Sequence, residues 1–205
     1  HTPGDWTVTK EATAVAEGSQ EQKCTVCDTV LQTKKIAKLK ATIKLNVPKT
    51  LSLKVKQTFQ IKASGLAKGD KVDSFKSSNT KIVTVTSSGK ITGKKAGTAT
   101  ITVKLNSGLT SQVKVKVQKS DVAATSVTVL NKSTNKRISG TVTLKVKKKL
   151  TLATTVAPVT CKQKVTFTSS NKKIATVTSG GVITAKKKGT VTITVKVGKK
   201  SAKVK

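Results

Sequence analysis

Cys24 and Cys27 form a Cys-x-x-Cys pair, which is the clearest candidate for metal binding or thiol chemistry in this sequence. Thiolates bind zinc well, but a structural zinc site takes four protein ligands and a lone pair supplies only two. His1 and one further donor would have to complete the site, and the sequence offers no obvious fourth residue. The pair is therefore a weak metal candidate, with a local disulfide or free thiols as alternatives. The third cysteine, Cys161, is interpreted as a small packing residue.

Acid–base chemistry has few residues to use. Residues 122–205 contain no Asp, Glu or His, which removes carboxylate pairs, oxygen-ligated calcium and a Ser-His-Asp triad from that part of the chain. Upstream, Asp70 and Asp73 lie close together in "KGDKVDSF", where we expect a solvated turn and the strand that follows it. The sequence therefore predicts no enzymatic activity and no cofactor.

Basic residues dominate the composition, with 41 Lys and Arg against 8 Asp and Glu and a net charge of +33. Residues 1–36 carry a net charge of −1, whereas residues 37–119 and 120–205 carry +16 and +18. Only Arg137 is an arginine, and aromatic residues make up only 2% of the chain. Bidentate phosphate or base recognition favours arginine, and single-strand binding favours aromatic platforms. The composition thus argues against a nucleic-acid partner.

A stretch of 30 residues occurs twice in similar form. Residues 75–104 align with residues 167–196 at an offset of 92 with 22 identities in 30 positions, and "LKVKQTFQI" matches "LKVKKKLTL" upstream at an offset of 91. A period near 90 residues is typical of tandem domains rather than of a solenoid. We therefore predict a small module at residues 1–36 and domains at 37–119 and 120–205.

Each repeat alternates apolar and polar residues in period two. In "TATITVKL" we expect Ala99, Ile101, Val103 and Leu105 on one face, and "VTITVKV" repeats the pattern from Val191 to Val197. Such alternation, rich in Val, Ile and Thr and interrupted by Ser, Gly and Asn turns, predicts half-buried antiparallel strands. The fold class is all-β, with two tandem β-sandwiches. The small N-terminal module is also β-rich, and we expect Trp6 to form its core against Val8, Val30 and Ile36.

The repeated motif "SSNxKIxTVTSxGxITxKKxGTxTITVK" resembles the bacterial immunoglobulin-like domains of group 2. The resemblance covers about 165 of the 205 residues, in two copies. It implies Ig-like sandwiches on a bacterial cell surface, strung in series within adhesins or secreted glycan-processing enzymes. Residues 1–36 resemble a short cysteine-containing repeat of Firmicutes surface proteins, although Ala14 and Asp28 replace a cysteine and a glycine of that repeat.

Two functions are compatible with these features. The first is a non-catalytic extracellular tandem that acts as a stalk or adhesion segment of a longer secreted protein, with a cell-surface glycan or protein as its partner. We expect a monomer, without a membrane span because no run of about 18 apolar residues exists. We expect the chain to be a piece of a longer polypeptide because it begins without Met and ends within an alternating segment.

The alternative function is a basic module that binds an anionic cell-wall polymer or acidic glycan, which would explain the scarcity of acids. Its candidate residues are the lysines of three short runs, which should converge on one face if the alternative is correct: Lys94, Lys95, Lys145, Lys147, Lys148, Lys149, Lys186, Lys187 and Lys188.

Overall fold

Strands account for all of the regular secondary structure, as the alternating pattern predicts. The computed structural model describes residues 1–205. Its strands are β1 (Pro3–Lys10), β2 (Gly18–Cys24), β3 (Val30–Ile36), β4 (Lys44–Leu45), β5 (Thr50–Lys54), β6 (Thr58–Gln60), β7 (Ala63–Ser64), β8 (Val72–Ser77), β9 (Val83–Val85), β10 (Lys90–Gly93), β11 (Gly97–Leu105), β12 (Thr110–Gln118), β13 (Ser126–Asn131), β14 (Lys149–Ala157), β15 (Val165–Ser169), β16 (Ala175–Val177), β17 (Val182–Ala185), β18 (Ile193–Val197) and β19 (Lys200–Val204). The chain lacks any helix with the length and apolar character needed to cross a lipid bilayer.

The strands form two compact units, His1–Leu51 with Val55–Val117, and Gln118–Lys205 with Ser52–Lys54. Strand β5 is a member of the sheet β5-β12-β11-β8 by its hydrogen bonds, so we place the whole of β5 in the first unit. That unit also contains the antiparallel sheet β1-β2-β3, the sheet β6-β10-β9 and the short pair β4-β7. The second unit contains the sheets β13-β14-β17-β16 and β15-β18-β19.

The core of the first unit lies on the face that the alternation predicts. Along β11, Ala99, Ile101, Val103 and Leu105 are all buried. Along β12, Val113, Val115 and Val117 are buried while the lysines between them are exposed. Fully burying one such Val, Ile or Leu side chain contributes about 1.5–3 kcal/mol to stability. Lysine occupies the outer face of these strands, where its charge stays hydrated and discourages association of strand edges.

The "SSN" sequence that opens each repeat organises the same turn in both units. In the first unit Ser77 Oγ donates to the carbonyl oxygen of Val83 over 2.7 Å, Ser78 Oγ accepts from the Thr100 N–H over 2.9 Å, and Asn79 Oδ1 accepts from the Lys81 N–H over 3.0 Å. The residues at the offset of 92 form the same three hydrogen bonds at 2.6, 3.0 and 2.9 Å. All three side chains satisfy backbone groups that a short connection leaves without ladder partners.

Removing one of these hydroxyls should have a measurable effect on stability. We expect Ser77→Ala to lower the free energy of unfolding by about 1 kcal/mol, because the part-buried Val83 carbonyl loses its donor. Ser87 is exposed and provides a control, since Ser87→Ala should change stability by less than about 0.5 kcal/mol. Urea unfolding of the two variants would measure the difference, and equal values would contradict this role for the Ser77 hydroxyl.

The N-terminal sheet differs from expectation at Trp6. We expected Trp6 to pack in a core against Val8, Val30 and Ile36, but Val8 and Val30 are 48% and 46% exposed. Trp6 is only half-buried, and the Lys34 ammonium lies 4.2 Å from the centroid of its ring. A single three-stranded sheet has too little apolar surface to enclose an indole ring, so a lysine chain covers it instead.

Candidate functional site

Two lysine runs of the second unit meet at one corner of its fold. The Lys147 N–H donates to the carbonyl oxygen of Ala185 over 2.8 Å, and the Ala185 N–H donates to the carbonyl oxygen of Lys148 over 3.1 Å. In the adjoining ladder, Lys149 pairs with Thr184. These hydrogen bonds place the start of β14 beside the end of β17, where the second run begins. We call this set of seven exposed residues the lysine corner: Lys145, Lys147, Lys148, Lys149, Lys186, Lys187 and Lys188.

The second run is also fixed by its own backbone. The N–H groups of Lys186 and Lys187 both donate to the carbonyl oxygen of Ile174, at 2.7 and 3.2 Å. Lys147 has a φ of 68°, which is uncommon for a residue with a side chain and is typical of a tight turn. The lysine corner is therefore formed by defined turns rather than by a tail.

The first unit repeats this arrangement with fewer lysines. Lys56 has the same φ of 68°, and its backbone N–H donates to the carbonyl oxygen of Gly93 over 2.8 Å. Gly93 directly precedes the predicted residues Lys94 and Lys95. Lys56 thus joins the two predicted lysines, and the sequence analysis did not select it. The repeat could have indicated it, since at the offset of 91 it corresponds to Lys147.

No ion pair offsets the charge of the lysine corner. Residues 122–205 contain no carboxylate side chain, and none of the seven lysines forms an ion pair. Like charges that share one surface repel each other and raise the local concentration of anions. The arrangement is suited to a polyanion and is not suited to acid–base catalysis.

An open cavity of about 480 Å³ lies next to the lysine corner. Its apolar wall includes Leu144, Leu150 and Val191, and Lys145, Lys187 and Lys188 stand among its lining residues. A volume of this size is within the range of small-molecule pockets. The cavity therefore combines an apolar wall with lysine side chains.

The cavity reflects a difference between the two units. Strand β12 pairs with β11 along its length, from Gly97 to Lys104, whereas β19 pairs with β18 only from Ile193 to Val197. Val191, expected on the buried face of that strand, packs against the core of the second unit but is only half-buried, because β18 begins at Ile193. Without a paired neighbour, this segment and the opposite Leu144 line an opening.

The Cys-x-x-Cys pair lies at the tip of the N-terminal sheet, and all three cysteines of the chain are free thiols. Cys24 is buried, Cys27 is exposed, and Cys27 Sγ lies 3.2 Å from His1 Nδ1. Hydrogen bonds to the Cys24 sulfur, first of all from the Val26 N–H, lower the pKa of the Cys24 thiol to about 7 although burial opposes this shift. His1, Cys24 and Cys27 are thus brought together across 26 residues of sequence.

The carboxylates of Asp70 and Asp73 do not form a catalytic pair. Asp70 Oδ1 accepts hydrogen bonds from the N–H groups of Lys71 and Ser107, at 3.0 and 3.2 Å. Hydrogen bonds from the side chain and backbone of Ser107 hold the pKa of Asp70 below its ordinary value, although burial opposes them. Asp73 instead accepts from Ser74 and lies 3.9 Å from the Lys104 ammonium. The expectation of a merely solvated turn was thus incomplete, because Asp70 joins two loops.

Comparison with known proteins agrees with this architecture. The model of the bacterial Ig-like domain (group 2) matches residues 40–117 and 123–205. Over 55 residues, 26% of this chain, the sequence is 53% identical to a kappa-carrageenase of Pseudoalteromonas carrageenovora, and the match spans 14% of that enzyme.

Solved structures that are similar to this one include domains 4 and 5 of the S-layer protein SbsC. That likeness has a TM-score of 0.37 and 26% identity over 63% of this chain and 72% of that one. A C-terminal fragment of intimin in complex with the intimin-binding domain of its receptor has a TM-score of 0.29 and 15% identity, over 99% of this chain and 63% of that one. At these TM-scores the fold assignment rests on the family match. With both copies of the repeat matched, the chain belongs to the family of bacterial Ig-like domains of group 2.

Proposed function

We propose that this chain is a non-catalytic, extracellular segment of a larger bacterial cell-surface protein, in which two Ig-like domains act as a stalk or adhesion segment. The observation that carries the proposal is the pair of family domains, which together occupy most of the chain. We place the domains at residues 37–119 and 120–205, after a small module at residues 1–36. Sandwiches in series extend a terminal domain from the cell surface without needing a site of their own.

The lack of catalytic groups supports the same proposal. The second unit has neither a carboxylate nor a histidine beyond residue 121, and Asp70 in the first unit is engaged by backbone N–H groups. A monomer that contacts a surface glycan or protein is the simplest form for such a segment. The stretch shared with the kappa-carrageenase fits an extracellular setting among carbohydrate polymers, since that enzyme acts, by its name, on carrageenan.

The lysine corner favours a second candidate function, attachment to an anionic polymer of the cell wall. Seven exposed ammonium groups share one corner without a carboxylate to neutralise them. Wall teichoic acid and acidic glycans are the abundant polyanions of a Gram-positive surface. Lysine would hold such a polymer through diffuse contacts that salt weakens, because a screening length of about 10 Å at 0.1 M shrinks as salt rises. Lys94 and Lys95 of the first unit could contribute in the same way.

Retention on purified cell walls distinguishes the two candidates. The protein is applied to walls with and without teichoic acid, at salt concentrations from about 50 to 500 mM. Attachment through the lysine corner predicts retention that needs teichoic acid and falls as salt rises. A stalk without polymer affinity predicts no retention even at the lowest salt concentration.

A charge-matched pair of variants locates the contact. One variant carries Gln at all seven positions of the lysine corner, and its control carries Gln at seven exposed lysines elsewhere in the second unit: Lys132, Lys136, Lys162, Lys164, Lys196, Lys199 and Lys200. The slope of log affinity against log salt should flatten by about 2–4 in the first variant, since each phosphate contact contributes about 0.7 on a flexible polyanion. Equal loss in both variants would contradict a localised site and indicate attraction by net charge alone.

A further inference from the structure

Three donor atoms that prefer the same kind of metal ion meet at the tip of the N-terminal sheet. One imidazole nitrogen of His1, Cys24 Sγ and Cys27 Sγ all lie within 4.8 Å of one another, and the contact between Cys27 Sγ and His1 Nδ1 is 3.2 Å. Zinc binds thiolate sulfur at about 2.3 Å and imidazole nitrogen at about 2.0–2.1 Å, so ligand atoms on a tetrahedral ion lie about 3.5–3.8 Å apart. No separation among the three atoms therefore exceeds the spacing required by one zinc ion by more than about 1 Å.

The knuckle that carries the two sulfurs is fixed by its backbone. The Cys24 N–H donates to the carbonyl oxygen of Thr29 over 2.9 Å, and the Asp28 N–H donates to the carbonyl oxygen of Cys24 over 3.1 Å. Asp28 has a φ of 56°, which turns the chain back immediately after Cys27. In addition, the Val26 N–H approaches the Cys24 sulfur at 3.5 Å, which is the kind of donor that stabilises a metal-bound thiolate.

Independent contacts hold the third donor beside the knuckle. The Thr25 N–H donates to the carbonyl oxygen of Thr2 over 3.0 Å, and the Thr25 hydroxyl approaches the same oxygen at 3.4 Å. Since Thr2 follows His1 directly, these contacts keep the imidazole near Cys27. The position of the histidine thus follows from the pairing of chain segments 23 residues apart and not from the Cys-x-x-Cys motif.

We propose that His1, Cys24 and Cys27 bind one zinc ion, with a solvent molecule as its fourth ligand. Two sulfurs and an imidazole nitrogen suit zinc or a similar thiophilic ion, whereas calcium and magnesium require oxygen ligands. The group contains no fourth Cys, His, Asp or Glu, and both His1 and Cys27 are exposed, so the last position faces solvent. The ion would link His1 to the turn between β2 and β3.

Cobalt substitution tests the site directly in the whole chain. The protein is freed of any affinity tag, reduced and stripped of metal with a chelator, and then titrated with Co²⁺ and afterwards with Zn²⁺. The proposal predicts one Co²⁺ per chain, with a thiolate-to-cobalt charge-transfer band and the intense visible bands of tetrahedral cobalt, and displacement of these bands by Zn²⁺. A reduced chain that shows no such bands with equimolar Co²⁺ would overturn it.

Variants assign the ligands. Cys27→Ser should reduce Zn²⁺ affinity by more than about 100-fold, since losing even an outer-shell partner costs about 10–100-fold, and His1→Ala should also weaken binding and change the cobalt spectrum. Cys161→Ser is the control and should bind like the wild type. Because Cys27 and His1 are exposed, neither change should unfold the sheet, which circular dichroism would check. Unchanged affinity in Cys27→Ser, or loss of the site in Cys161→Ser, would overturn the ligand set.

Discussion

Replacing Gly89 by alanine is expected to destabilise the first unit by about 2–5 kcal/mol. Gly89 has a φ of 84°, which costs an alanine about 1–2 kcal/mol. An added Cβ would also lie 2.7 Å from Phe75 Cζ and 2.8 Å from the carbonyl oxygen of Ile61. That oxygen cannot withdraw easily, because the Ile61 N–H donates to the Gly89 carbonyl in the same contact between segments. The clash therefore adds about 1–3 kcal/mol, as overpacking of a core does.

Two other glycines serve as controls for this prediction. Gly108 has a φ of 90° with nothing within 4 Å of its added Cβ, so Gly108→Ala should cost only the backbone term of about 1–2 kcal/mol. Gly181, the counterpart of Gly89 in the second unit, has its nearest contacts at 3.1 Å and should give an intermediate cost. Urea unfolding of the three variants measures this order, and equal costs at Gly89 and Gly108 would show that the contact with Phe75 is unimportant.

Truncating equivalent leucines should affect the two units very differently. Leu53 and Leu144 occupy the same position of the repeat, but Leu53 is fully buried whereas Leu144 is half-buried and lines the open cavity. Leu53→Ala should lower the free energy of unfolding by about 3–5 kcal/mol, because it removes buried surface and leaves a void. Leu144→Ala should cost about 1–2 kcal/mol, since solvent or mobile side chains can fill space that is already open.

Hydrogen exchange can measure both effects in the whole chain. Amides of β11 report the opening free energy of the first unit, and amides of β18 report that of the second. Leu53→Ala should accelerate exchange in β11 while β18 keeps its wild-type rates, and Leu144→Ala should do the reverse to a smaller extent. Similar losses for the two substitutions would mean that the second unit closes around Leu144 in solution.

The period-two pattern was sufficient to predict the fold class, and the resemblance of the repeated motif indicated the family. The alternation along β11 predicted which residues would be buried, because neighbouring side chains of a strand necessarily point to opposite faces. The same reasoning directed Val191 correctly toward the core but did not predict its partial exposure, because alternation predicts a face and not the presence of a paired neighbour. It failed at Trp6 because residue type indicates a preference for burial, whereas one small sheet cannot supply enough surface to satisfy it.

By itself, the sequence determined that the chain is all-β, that it repeats one domain, and that lysine lies on the outer face of the strands, since each of these depends on local pattern and composition. The resemblance of the repeated motif added that the domain is Ig-like. Only the tertiary structure decided which distant residues meet. Lys147 reaches Ala185 and His1 reaches Cys27 because strand pairing brings together segments separated by 38 and 26 residues. Register and strand ends depend on packing of the whole unit, and a local pattern does not contain them. The lysine corner and the cluster of His1, Cys24 and Cys27 are therefore properties of the folded chain.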